Sequence, residues 1–330
     1  MKALGLVLLA LYLAAAAAVP SLLDAGWMTL LSEVLLMLAM AQMWNLLAGY
    51  TGLVSLGHQA FIGIGAYFVF YFSDRLELHP FLLLPVAGIV CALVAALLAP
   101  LLFRLRDAYF SVGIWVFAEI VYLLATKTRE LGATSGVALK SMRLVDTETF
   151  SRDTFWIAAL LALLAVGGVY ALIRSRLGLG LMAVRDNELA ATSIGIDVWR
   201  NRFAAFTISA FGCGIAGATY FTGSMFVSPE AGFDINWVVG MMSIVIIGGI
   251  GTIEGPIIGT LLYFGLREGF TAWAGVSGSW YLVAMGLVAI AVMLVAPRGL
   301  WGWVREHWGW EGFSERRTPP ATLLADGGQP

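Results

Sequence analysis

Apolar residues in this chain fall into long, nearly unbroken runs, not into the every-third-or-fourth stripes of half-buried helices. A helix needs about 20 mostly apolar residues to cross the hydrocarbon of a bilayer. Ten runs approach that length: 3–20, 27–48, 53–72, 81–103, 109–126, 155–173, 203–226, 236–252, 255–273 and 280–297. The fourth and seventh carry no charge. Glycines and polar residues interrupt the third and ninth, and the ninth holds Arg267 and Glu268. The pattern predicts an all-α polytopic membrane protein of about ten transmembrane helices. The first run, behind Lys2 and ahead of small residues, has the form of a signal peptide as well as of a span. The span is the preferred reading, because further apolar runs follow at once.

Composition agrees with the pattern. The 330 residues are 60% hydrophobic and 12% charged, against about a quarter charged in a soluble domain. The net charge of -2 and the scattering of basic residues along loops give nucleic-acid binding no support. Cys91 and Cys213 each lie in an apolar run and read as small apolar side chains. Lys and Arg favour the cytoplasmic side of short loops. With the N-terminus inside, the outer segments hold six: Arg75, Lys127, Arg129, Lys140, Arg143 and Arg152. The inner segments hold twelve, which predicts a plasma-membrane protein with both termini cytoplasmic. Residues 1–302 then form one membrane domain with an inner loop at 174–202 and an outer loop at 127–154. The tail 303–330 carries Trp303, Trp308 and Trp310, residues that settle at membrane interfaces. From Ser314 onward it has the polar, Pro/Gly-bearing composition of a disordered segment.

The inner loop offers a short helix. Asp186 or Asn187 can cap it, Glu188 suits its positive end, Leu189, Ala190, Ala191 and Ile194 are its apolar residues, and Gly195 is its natural stop. Two readings fit: a handle that a cytoplasmic partner grips, or an interfacial helix lying on the bilayer.

Between Asn45 and Phe68 the chain carries five glycines with His58 and Gln59. Gly248, Gly249, Gly251 and Gly255, with Pro256, punctuate a second stretch, and the two stretches echo each other loosely. Interrupted helices free backbone groups that can line a polar path. The candidates for such a path are Gly52, Ser55, Gly57, His58, Gln59, Glu119, Gly249, Gly251 and Glu254, and helix packing is the alternative for each glycine. His58 fits a path or a pH sensor as it fits a histidine with one hydrogen-bond partner near a helix end. Intramembrane ionisable groups are functional suspects. Among Glu33, Glu119, Glu254, Arg267 and Glu268, Glu119 stands out, mid-span with no Lys or Arg within a helical turn. Arg267 and Glu268, being adjacent, point to different sides of a helix and need not pair. The outer loop mixes Lys127, Arg129, Lys140 and Arg143 with Glu130, Asp146, Glu148 and Asp153. That suits a docking face for a delivered protein, and equally a solvated loop.

The stretch from Glu188 to Gly195, "ELAATSIG", resembles the EAA-type loop of ABC-importer permeases. "SRLGLGLMAVRDNELAATSIGIDVWRNRF" and "NLLAGYTGLVSLGHQAFIGIGAY" are similar to branched-chain amino-acid permeases of the LivH/LivM group. "LRDAYFSVGIWVFAEI" and "LGATSGVAL" resemble the LivM side, and "IVIIGGIGTIEGPIIGT" and "APRGLWG" fit as well. The chain departs from the group at "SVGIW" and "GATSG", which leaves the substrate open. The resemblance implies a subunit that imports leucine, isoleucine and valine across the bacterial inner membrane. Its implied partners are a LivH-like permease, two ATP-binding subunits and an extracytoplasmic substrate-binding protein. Arg185, Asp186, Asn187, Glu188, Ala190, Ala191 and Gly195 are then the ATPase-coupling residues.

The chain has no G-x-x-x-x-G-K-[ST], so ATP and Mg would sit on the partner ATPases and no cofactor on this chain. It also lacks H-E-x-x-H and G-x-S-x-G, which argues against an enzyme. A urea or short-chain amide permease and a proton-coupled secondary transporter are the alternatives.

Overall fold

The computed structural model describes residues 2–106, 108–140, 147–274, 280–296 and 298–308. The described residues are mostly helical: α1 (Lys2–Leu22), α2 (Ala25–Thr51), α3 (Gln59–Leu76), α4 (Pro80–Leu102), α5 (Ala108–Lys127), α6 (Thr147–Ile173), α7 (Arg176–Asp186), α8 (Glu188–Ser193), α9 (Val198–Ser224), α10 (Pro229–Gly232), α11 (Asn236–Gly248), α12 (Glu254–Ala274), α13 (Trp280–Val295) and α14 (Gly299–Trp308). β1 (Val137–Ala138) pairs antiparallel with β2 (Phe226–Val227), in a register that sets Val137 against Val227. Each of the ten apolar runs lies on a helix. Among the described residues, seven helical stretches are long and apolar enough to cross a membrane by length and composition. The count of ten is therefore looser than the helix assignments, because the polar residues of α3 and α12 lower their hydropathy.

Three boundaries differ from the sequence reading. α3 begins at Gln59, not at 53, because Gly52 adopts φ 76° and ends α2, leaving 53–58 irregular. α11 stops at Gly248, where Gly249 at φ 135° turns the chain. α6 begins at Thr147, so the outer loop is shorter at its C-terminal side than 127–154. Trp310 and the polar tail lie outside the described residues.

The long helices alternate in direction. One end of the bundle carries α7, α8, α14 and the breaks at 52–58 and 249–253. The other carries the small ladder and the 3-10 turns at 129–131 and 133–135. α2 is the axis: every residue from Ala39 to Thr51 is buried. A helix apolar all round belongs inside, and α6, α9, α11 and α12 surround it. α9 packs closely on α3 and α4 because small residues meet. A Cβ on Gly65 would sit 2.2 Å from the Gly214 carbonyl oxygen, and one on Gly88 2.5 Å from Ile215. Without water between helices, such close packing is what holds spans together. Leucines 93, 97, 101, 123, 124, 160 and 164 point outward, as lipid-facing positions do.

The two breaks meet. Asn45 donates from Nδ2 to the Thr252 carbonyl at 2.8 Å, and its Oδ1 accepts from the Gly251 N–H at 2.9 Å. Gln42 Nε2 donates to the Ile253 carbonyl at 2.6 Å. Three backbone groups that a broken helix leaves unpaired are thus bonded by side chains of α2. The approach requires glycine on both sides, since a Cβ on Gly49 would lie 2.5 Å from Gly251 N.

A second tie joins α2 to α12. Arg267 donates from Nη1 and Nη2 to the two carboxylate oxygens of Glu33 at 2.7 and 2.9 Å. Its plane lies over Phe264, 4.4 Å from the ring centre. Arg267 also reaches Glu268 Oε1 at 3.1 Å from Nε, a pairing that adjacency in the helix left open. The long guanidinium arm reaches around its own helix.

Two outcomes follow, each read from thermal unfolding in detergent. Removing one partner of a buried pair costs 3–5 kcal/mol, and the side chains here keep 22% and 27% exposure, so Arg267→Met costs about 2 kcal/mol. The double variant Glu33→Met/Arg267→Met recovers most of that loss. Asn45→Leu orphans the Gly251 N–H and the Thr252 carbonyl, and costs about 3 kcal/mol.

Candidate functional site

The loop between α6 and α9 folds into two helices. Ser175 caps α7, accepting from the Gly178 N–H at 3.4 Å. At α8, Asn187 is the cap, and its Oδ1 accepts from the Ala190 N–H at 3.0 Å. Asp186 does not cap: it ion-pairs with Arg185 at 3.0 Å. Glu188 sits in the first turn, where the helix dipole favours a carboxylate, and pairs with Arg202 of α9 at 2.9 Å. Gly195 at φ 84° ends the turn, and the Ile196 N–H closes on the Ala191 carbonyl at 3.0 Å. Of the apolar residues, only Ala191 is buried. Ala190 faces out, and Leu189 and Ile194 are 81% and 75% exposed.

Arg185 links this loop to the breaks. Its Nη1 donates to the Gly49 carbonyl at 3.0 Å. The same nitrogen lies 2.8 Å from where a Gly251 Cβ would sit, and the Arg185 chain passes 3.8 Å from a Cβ on Gly52. Gly52, Gly249, Gly251 and Arg185, remote in sequence, therefore share one corner. Glu254 is the first residue of α12 and is buried beside it.

Ser55, Gly57 and His58 lie deeper in the first break. The Trp44 indole N–H donates to the Ser55 carbonyl at 2.8 Å. His58 is fully buried and has two partners, Ser55 Oγ at Nδ1 and Ser209 Oγ at Nε2, both at 2.6 Å. Ser209 Oγ already donates to the Met43 carbonyl at 2.7 Å, so it accepts from Nε2–H, and Nδ1 accepts from Ser55. The imidazole is a brace between α2, α3 and α9. Gln59 follows it, fully buried, with neither amide atom bonded.

The breaks sit at the end that carries α7 and α8. Glu119 is not brought to them. It stands on an outward stripe of α5 with Tyr109, Val112, Val116 and Leu123, exposed and unpaired among the described residues. Sequence reasoning missed Gln42, Asn45 and Ser209. For Gln42 and Asn45 the available signal was a strongly polar amide inside an otherwise apolar helix.

At the opposite end, Tyr67, Tyr71, Asp74, Glu130 and Lys140 surround a cavity of about 380 Å³. A second hollow, about 430 Å³, lies between α7 and the start of α9 against Arg176, Asp197 and Arg200.

Residues 26–293 match the family described as branched-chain amino acid transport system / permease component. The chain is 28% identical over 282 residues to the "High-affinity branched-chain amino acid transport system permease protein LivM" of Salmonella typhimurium, and 29% identical to the protein of that name in Escherichia coli. Each match takes in 78% of this chain and 65% of the relative. A "Probable branched-chain amino acid transport permease protein LivH" of Methanocaldococcus jannaschii is 24% identical, over 72% of this chain and 80% of the relative. No solved structure matches. The matched segment runs from α2 into α13 and takes in both breaks and the α7–α8 loop, and the chain belongs to the branched-chain amino-acid permease family.

Proposed function

We propose that the chain is the permease subunit of an ATP-driven importer of branched-chain amino acids in the bacterial inner membrane, with α7, α8 and both termini facing the cytoplasm. Its partners are a LivH-like permease, two ATP-binding subunits and an extracytoplasmic binding protein. One observation carries the reading: a capped, ion-paired helix leaves Leu189 and Ile194 in the open. Two large apolar side chains on a rigid polar-flanked helix fit the apolar anchor of a protein interface. The Lys/Arg bias supports a cytoplasmic location for that interface.

The surroundings of α8 suit a lever. Force applied there passes through Glu188–Arg202 into α9 and through Arg185 into α2 at Gly49. From Gly49 it reaches the second break, whose Gly251 packs against Gly49. ATPase closure thereby moves α2, α9 and α12 together. Such coupling requires that the contacts differ in energy between the two states. The exposed stripe of α5 faces the partner permease or the path between the two, because a carboxylate such as Glu119 is costly against lipid and tolerable beside water.

The test is leucine uptake by the reconstituted four-part complex with its binding protein. Leu189→Asp and Ile194→Asp leave the chain folded, since both side chains are exposed, and lower uptake and co-purification of the ATPase by more than about tenfold. Full uptake in both variants, or uptake by the chain alone on a proton gradient, contradicts the assignment. Urea uptake without leucine uptake reassigns the substrate.

A further inference from the structure

The cavity at the ladder end has a built character that helix packing does not require. Its rim carries both charges: Arg75 and Lys140 on one hand, Asp74 and Glu130 on the other. Arg75, Asp74 and Glu130 are tied in place. Arg75 donates to the Tyr71 hydroxyl, which donates to Glu130 Oε2 at 3.1 Å, and Asp74 Oδ1 accepts from the backbone N–H of Lys140 at 2.9 Å. These bonds hold the 129–140 segment over the end of α3. Beneath the rim the wall is apolar, formed by Phe70, Leu131 and Val137.

Tyr67 supplies the second, independent observation. It lines the cavity, is 5% exposed, and its hydroxyl has no hydrogen-bond partner. A buried, unbonded hydroxyl beside a cavity is an uncompensated cost unless something that enters the cavity bonds to it. Its ring stacks on Phe233 with centres 6.0 Å apart, and the Phe233 ring lies against Gly63, 2.3 Å from where a Cβ would sit. Gln59, Gly63, Tyr67 and Tyr71 recur every fourth residue and so lie along one face of α3. Phe233 thus closes that face between the cavity and Gln59, whose two amide atoms are also unbonded.

We propose that this cavity is a receiving site for a zwitterionic amino acid with an apolar side chain. The carboxylate meets Arg75 and Lys140, the ammonium meets Glu130 and Asp74, the side chain lies on Phe70 and Leu131, and the Tyr67 hydroxyl bonds one pole. A volume of about 380 Å³ falls in the range of small-molecule sites, about 300–1,000 Å³. The site rests on the proposed importer reading, in which this end faces outward and takes cargo from the binding protein.

The test is equilibrium binding of tritiated L-leucine to the intact permease–ATPase complex in lipid nanodiscs, without binding protein. The site predicts saturable binding that isoleucine displaces. It also predicts that 4-methylpentanoate, which lacks the ammonium, and 3-methylbutylamine, which lacks the carboxylate, compete at least about tenfold more weakly. Tyr67→Phe, which preserves shape, weakens binding and raises the half-saturating concentration for uptake about three- to tenfold. Lys140→Ala, on an exposed loop, does the same if Tyr67→Phe proves unstable. A complex that imports leucine yet binds none without its binding protein, or binds it equally in both variants, overturns the site and leaves the importer reading intact. Equal competition by 4-methylpentanoate makes the cavity a general apolar pocket and likewise overturns it. A complex that neither binds nor imports any amino acid removes the importer reading, and the site with it.

Discussion

Backbone amides and carbonyls inside a bilayer have no water to turn to, so each must find a partner within the protein. Helices satisfy this automatically, and a break in a helix does not. This chain has a break between α11 and α12, and the side chains of α2 answer it. Asn45 bonds Gly251 and Thr252 at once, and Gln42 bonds Ile253. A leucine at position 45 would pack as well but would leave those groups bare. The geometry also needs Gly49 and Gly251, because the backbones come too close for any side chain between them. α2 is buried on all sides at this level because both its neighbours and its own break depend on it.

The rest of the architecture arranges itself around that junction. His58 and Ser209 brace the first break against α9, and Arg185 ties the α7–α8 loop to the end of α2. Arg267 and Glu33 fasten α2 to α12 further along. One end of the bundle is therefore bonded across four distant segments of sequence, and it is the end that carries the exposed helix α8. The other end is joined by the Arg267–Glu33 pair on its side of the bundle, by a two-residue ladder and by side chains around a cavity. A bundle bonded in this way at the end that carries α8 suits a part driven from that end, which is how the proposed importer would use it.

Much of this was legible in the residues. Run length and composition located every long helix, and Asn187, Glu188 and Gly195 announced α8 through capping and dipole rules that act within one turn. Other features depend on partners far away in sequence. Nothing near Asn45 says that its amide meets residue 251, and nothing near Arg267 says that it grips Glu33. Glycine-rich stretches signalled broken helices but not their depth, because that depends on which neighbours they touch. The polar "TETFSRDTF" looks like loop, yet all of it lies in α6, where tertiary packing outweighs composition. Glu119 was noticed for its isolation, which the fold preserves, while Tyr67 looked like an ordinary aromatic and drew no notice. Its unbonded hydroxyl is a property of the packed structure.

The most direct measurement is amide hydrogen exchange across residues 249–253 in the detergent-solubilised protein. The account holds that the Gly251 N–H is bonded to the Asn45 side chain within a buried junction, so this peptide exchanges as slowly as the neighbouring α11 despite having no helix of its own. Exchange as fast as that of an unstructured peptide would mean that the two breaks do not support each other.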